Sequence, residues 1–251
     1  MTQSGSNSKA GAAERADQAG LRRAAHWDVR PVDGGYEVFG DERPLRTPAG
    51  QPVAVASRPL AEAIAAELQA QVGRKTLDIA ALPHLRLTAT AIDQVATTRE
   101  AYIDALAAYG ETELLCYRAE HPADLVERQH TAWQPLLDWA ATRFQARLTN
   151  TAGVMPHRQP LEALAALRKA IAGYDDLRLA ALAVAVPTTG SLVVGLAMIE
   201  GQLDAEQAFA LAEFDESYQI EHWGEDAEAA QRRTTRRSDL AQVTGFLQLL
   251  K

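Results

Sequence analysis

Between Trp27 and Val55 apolar and polar residues alternate in short pieces: WDVRPV, then Asp33, Gly34 and Gly35, then YEVFG, then the Pro-rich LRTPAGQPVAVA. Alternation with Asp-Gly and Gly-Gly between the pieces is a hairpin signal, so the stretch predicts a small, twisted antiparallel sheet. From residue 58 the period changes. Leu60, Ile64, Leu68 and Val72 recur every fourth position, which predicts an amphipathic helix over 58–72 able to cover that sheet. After Gly73 the segment TLDIAALPHLRLTATAID shows no clear period and contains Pro83; it reads as an irregular connector. Helical spacing dominates beyond it, predicting helices over 97–109, 114–119, 123–148 with a bend at Pro135, 160–172, a pair within 177–203, and 205–223. The closing VTGFLQLLK fits either a last strand returning to the N-terminal sheet or a helix end. The class is therefore α+β: a disordered tail over 1–20, an N-terminal α/β domain over 21–92 and a helical C-terminal domain over 93–251.

The helix over 205–223 carries the sharpest polarity conflict. At about 100° per residue, Leu211, Phe214, Asp215, Tyr218 and His222 share one side, while Phe209, Glu213, Glu216 and Ile220 share the other. Asp215 thus stands on an apolar face, where a carboxylate needs a partner. It is either an internal mate for an arginine or part of a recognition site. Two apolar runs, 179–186 and 192–199, are separated by Pro187, Thr188, Thr189, Gly190 and Ser191. Neither reaches the roughly 20 residues that span a bilayer, so they predict two buried helices with a break at Pro187.

Composition narrows the function. A net charge of -8 argues against a nucleic-acid partner, and the basic run Arg232, Arg233, Arg236, Arg237 reads as a solvated helix face balancing the acids upstream. The single cysteine, Cys116, allows no internal disulfide and fits a reducing compartment; the first residues lack a secretory core, and Glu14 and Asp17 speak against a transit peptide. These features place the protein in a bacterial-like cytoplasm. No catalytic or cofactor motif stands out: Gly190 to Gly195 lacks the Lys of a phosphate loop, no nucleophile elbow is present, and His222 among Glu216, Glu221, Glu225 and Asp226 reads as a solvated acidic terminus and not a metal site. Metal, cofactor and catalytic residues are all expected to be none. Trp133 and Trp139, six residues apart, face different packing layers.

The segment from Cys116 to Pro160 spends tryptophans, arginines and prolines on alanine-rich helix, as CYRA, QHTAWQPLLDW and TAGVMPHRQP; YQIEHWG follows at Tyr218 to Gly224. With FGDERPLRTPAG, AAELQAQ and LTATAID, these spaced motifs resemble the ATP-twelve family of F-ATPase assembly chaperones, from about Trp27 to the C-terminus. Leu68 stands where a Trp commonly follows the glutamate, and Leu82-Pro83-His84 replaces a Met-Pro; if the family's functional acid falls on Asp215, its side chain is also shorter than the glutamate of the pattern. The resemblance implies a small α/β domain followed by a helical one, no reaction and no cofactor. It further implies that the chain escorts the free ATP synthase alpha subunit, on the surface that later meets beta, in bacterial cytoplasm or, for eukaryotic relatives, the mitochondrial matrix. The acid that matters just before the YQIE motif falls on Asp215 or Glu216. We expect Asp215, Glu216 and Glu221 as charged anchors beside a surface of Tyr218 and Trp223. The alternatives are an enzyme with a non-local active site and a permanent scaffold protein.

Overall fold

The computed structural model describes residues 24–153, 155 and 157–251, so the amino-terminal tail lies outside the described residues. Contacts group the chain into two units, one running to Thr97 and including Phe246–Lys251, the other formed by Thr98–Gly245.

In the first unit β1 (Trp27–Val32) and β2 (Gly35–Gly40) form an antiparallel hairpin, paired from Trp27 opposite Gly40 to Val32 opposite Gly35. The short strands β3 (Arg43–Pro44) and β4 (Ala54–Val55) both pair with β2, at its opposite ends. Gly35 is obligatory here, because a Cβ on it would lie 2.4 Å from the Val55 carbonyl oxygen. Helix α1 (Arg58–Gln69) starts on Ser57, whose hydroxyl accepts from the Leu60 amide at 3.3 Å. It buries Leu60, Ile64 and Leu68 toward the sheet, and Gln69 accepts a hydrogen bond from the Trp27 amide at 2.9 Å.

The expected irregular connector is largely helical. Helix α2 (Pro83–Thr90) follows a 3-10 turn at Ile79–Ala81 and continues as a π-helical turn at Ala91–Val95. Pro83 does not break this helix; it begins it, at a position whose N–H has no helical partner in any case. The cap comes from α1: the Glu67 carboxylate accepts from the amides of His84 at 2.9 Å and Leu85 at 3.1 Å. Asp93 then ties the π turn to the sheet side through the Thr47 hydroxyl at 2.6 Å and the Ala49 amide at 3.0 Å.

The second unit opens with α3 (Arg99–Ala107) and two 3-10 turns, Ala108–Thr112 and Leu114–Cys116. A helix over 114–119 does not form. Tyr117–Arg118 is instead strand β5, parallel to β6 (Thr151–Ala152), a partner more than thirty residues away that local spacing cannot reveal. Between them runs α4 (Ala123–Arg143), which stops well short of 148 because Gln145 takes a left-handed conformation, φ 61°. Then come α5 (Leu161–Ala172), α6 (Asp176–Thr189) and α7 (Leu192–Ile199). The break in the apolar pair falls at Gly190, φ 69°, and not at Pro187, which lies inside the last turns of α6. Helix α7 is the centre of the core, with Leu192, Val193, Val194, Leu196 and Ala197 fully buried. Gly195 lets it approach α6, since a Cβ there would meet the Val186 side chain at 2.6 Å. No described helix is long and apolar enough to cross a membrane.

The helix expected over 205–223 is two helices, α8 (Ala205–Ala212) and α9 (Phe214–Trp223), broken at Glu213 with φ -99° and ψ 22°. Helix α10 (Ala227–Gln248) runs nearly to the end of the chain, so VTGFLQ is helical, Leu249 and Leu250 form a turn, and no returning strand forms. Their apolar positions Val243, Phe246 and Leu250 repeat at helical and not at strand spacing.

Candidate functional site

Helix α9 lies along α4, and strand β5 is held against the same stretch of α4. Asp215, Tyr218 and Glu221 of α9 each reach a residue of α4, while Asp215 and Glu216 occupy the first turn, where the helix dipole favours acids. Gln129 is the hub of this arrangement. It is 1% exposed; its side-chain oxygen accepts from the Ala119 amide at 2.7 Å and its amide nitrogen donates to Asp215 Oδ1 at 2.7 Å. Its backbone carbonyl accepts from Arg118 Nη1 at 2.6 Å. Asp215 therefore does have an internal partner, but a neutral amide and not an arginine, and among the described residues it has no ion-pair partner.

Tyr218 is 7% exposed, and its hydroxyl donates to the Asp124 carboxylate at 3.0 Å. Burial and that carboxylate push the phenol pKa above its ordinary value. Its ring lies 4.3 Å from the His222 ring, with the Arg128 guanidinium 5.5 Å above it. Arg128 also pairs with Glu221 at 2.9 Å. The expected surface of Tyr218 and Trp223 is thus corrected in one half: Tyr218 is an internal residue lining a groove, whereas Trp223, at the end of α9, is 78% exposed. The groove between α4 and α9 encloses about 400 Å³. Glu216 makes no hydrogen bond or ion pair among the described residues and faces a second cleft of about 230 Å³, shared with arginines of α10.

Two further features escaped the sequence reading. Glu213, only 4% exposed, is the acid that takes the arginine partners: Arg233 at 3.1 Å and Arg236. The basic run is accordingly not a solvated face throughout. Arg233 also reaches Glu225 at 3.2 Å, Arg237 pairs with Glu206 at 2.7 Å, and both guanidiniums sit about 5 Å from the Phe209 ring. The spacing of Arg233 and Arg236, three apart on one helix face, was the available signal. The second feature is Arg118 of the CYRA motif, whose Nε and Nη2 are buried without a partner among the described residues, with the guanidinium 5.2 Å from the Trp133 ring. Burial lowers its pKa. Trp133 itself is core, donating from its indole nitrogen to the Leu211 carbonyl at 3.1 Å.

His222 directs Nδ1 to the Tyr218 carbonyl at 2.7 Å, and among the described residues no group of three or more His, Cys, Asp or Glu side chains is placed to hold a metal. The site offers association chemistry: unpaired carboxylates, an apolar groove and one exposed indole.

A family model described as ATP12 chaperone protein matches residues 22–141, which includes most of α4 but not α9. The crystal structure of Atp12 from Paracoccus denitrificans superposes with a TM-score of 0.87 at 41% identity, covering 92% of this chain and 98% of that one. A protein of Agrobacterium tumefaciens superposes with a TM-score of 0.85 at 39% identity, covering 92% and 86%. In sequence, the mitochondrial protein atp12 of Schizosaccharomyces pombe is 29% identical over 113 residues, 43% of this chain; the match spans only 39% of that relative's length.

Proposed function

We propose, from the premise that this chain belongs to the ATP12 chaperone family, that it serves assembly of the catalytic head of ATP synthase by holding the free alpha subunit until the beta subunit replaces it. The observation that carries this reading is the α9 face, where a 78% exposed Trp223 ends a helix whose acids Asp215 and Glu216 have no ion-pair partner among the described residues. A large exposed aromatic beside unpaired charge is the composition of an interface anchor. A free subunit that exposes an apolar face meant for another chain risks self-association, and covering that face suppresses the wrong oligomer. The cover must also leave. A moderate interface with few anchors allows exchange, and nothing in the scheme requires a bond to be made, a metal or a cofactor. We place the protein in the bacterial cytoplasm, whereas the fission yeast relative is mitochondrial.

The test is a pull-down of purified alpha subunit and, separately, purified beta subunit on this protein. Retention of alpha alone, with suppressed light scattering of alpha, is the expected result. Equal retention of both subunits, or of neither, removes the proposal. Turnover of a small molecule by the pure protein would favour a non-local active site instead.

A further inference from the structure

The groove between α4 and α9 is built from matching helical periods. Glu127 and Thr131 stand four apart on α4, and Phe214, Tyr218 and Glu221 recur at intervals of four and three on α9, so each helix presents one continuous face to the space between them. Burial sorts the lining by depth. Tyr218 is buried and Ala132 and Phe214 are half-buried, whereas Glu127, Arg128, Thr131 and Glu221 are exposed. The recess is therefore apolar within and charged at its mouth. Its volume of about 400 Å³ is that of a site for a large apolar side chain with its neighbours.

The charges at the mouth say what accompanies that side chain. Arg128 is the cation of the lining, and it is matched by Glu221 at 2.9 Å. Arg233 reaches Ser217 at 3.1 Å from the side, but it is matched by Glu213 and Glu225. Among the described residues Glu127 has no hydrogen-bond or ion-pair partner, Asp124 holds the Tyr218 hydroxyl and shares the Arg128 charge with Glu221, and Asp215 has only the Gln129 amide. The surroundings are left with a surplus of negative charge.

Resting on the reading that the client is the alpha subunit, we propose that this groove is the client's docking slot and that it takes a segment of alpha in which a large apolar side chain is flanked by Lys or Arg. The apolar side chain enters between Phe214 and Ala132, and its basic neighbour meets Glu127. Such a slot recognises a sequence pattern, not merely an exposed apolar face.

The test compares the full-length protein with Thr131→Trp, which fills the groove from an exposed position, and with Glu127→Lys, which reverses the unpartnered charge. Binding of purified alpha subunit is measured by titration at low and high salt, with circular dichroism and melting as controls. Thr131→Trp should weaken alpha binding about tenfold or more, and Glu127→Lys about three- to tenfold with a flatter salt dependence. A panel of synthetic peptides tiling alpha should bind only through members carrying an apolar residue beside Lys or Arg, and Thr131→Trp should abolish that binding. Wild-type binding of alpha with both variants indistinguishable from it overturns the slot and leaves the client reading intact. Selection of acidic or uncharged peptides also overturns the slot. Should Thr131→Trp fail to fold, Glu127→Lys and the peptide pattern decide alone. Absence of alpha binding by the wild type overturns the slot together with the client reading.

Discussion

At Asp215 charge and hydrogen bonding can be separated by a single atom. Asn in that place still offers a side-chain oxygen to Gln129 Nε2 but carries no charge; Ala offers nothing and leaves a buried donor unpaired. Asp215→Ala should therefore cost about 1–3 kcal/mol in urea unfolding, whereas Asp215→Asn should stay within about 0.5 kcal/mol of wild type. If Asp215 is an anchor for the client, Asn alone weakens binding of alpha at unchanged stability. An Asn variant as unstable as the Ala variant would return the residue to a purely structural role. Glu213 gives the opposite expectation. Its removal leaves Arg233, with 18% of its side chain exposed, partly buried beside only Glu225, so Glu213→Ala should cost about 2–4 kcal/mol. The sequence set the basic run against the acids upstream and offered an arginine as one mate for Asp215, without singling out Glu213. What stays hidden is the α8–α9 break, since Glu is a good helix former and nothing in its identity announces a junction; the continuous wheel already groups Glu213 with Phe209 and Glu216, the side that meets the arginines.

Element ends were the least legible part of the chain, because several of their caps are supplied by other elements. The N-terminus of α7 shows the physics. Its Ser191 hydroxyl and Val193 amide donate to Glu113, a fully buried carboxylate nearly eighty residues earlier that also accepts from the Leu115 amide at 3.2 Å. Burial outweighs these donors and pushes the carboxyl above its ordinary value of 4.5. The native state then binds this proton more tightly than the unfolded chain. Its contribution is greatest below about pH 4.5 and is lost as pH rises through the folded pKa. Glu113→Gln is neutral throughout, so the stability of wild type relative to this variant should fall as pH rises from 4.5 toward neutrality, measured by urea unfolding at stepped pH. A pH-independent difference would show that the carboxylate is not destabilised by burial. The same remoteness explains other departures: Glu67 caps α2 across the chain, making Pro83 a start and not a stop, and β5 exists only because β6 pairs with it. Elements made by their own periodicity, the β1–β2 hairpin and α1 among them, were legible from spacing alone.

On the scale of the whole molecule, the last residues complete the first unit, and this is the one long-range closure that the sequence hinted at. A short apolar run at the C-terminus suggested a return to the N-terminal region but left strand and helix unresolved, because a few apolar residues satisfy both periods. The return is made by side chains. Phe246 is fully buried, its ring 6.4 Å from that of His84 and nearly parallel to it, and the Leu249 carbonyl accepts from the Ser57 hydroxyl, the same group that caps α1. The end of the chain therefore fixes both the packing of α2 and the start of α1. Phe246→Ala should create a cavity costing about 3–5 kcal/mol. Because that cost falls on the first unit, amide hydrogen exchange in β1, β2 and α1 should accelerate by two orders of magnitude or more, about tenfold for each 1.4 kcal/mol. Phe246→Leu, which keeps most of the volume, should recover much of the protection. Unchanged exchange in the hairpin and α1 of the Ala variant would mean that the first unit stands without its C-terminal closure. A truncated chain ending at Gly245 would then fold its sheet as well as the full one does.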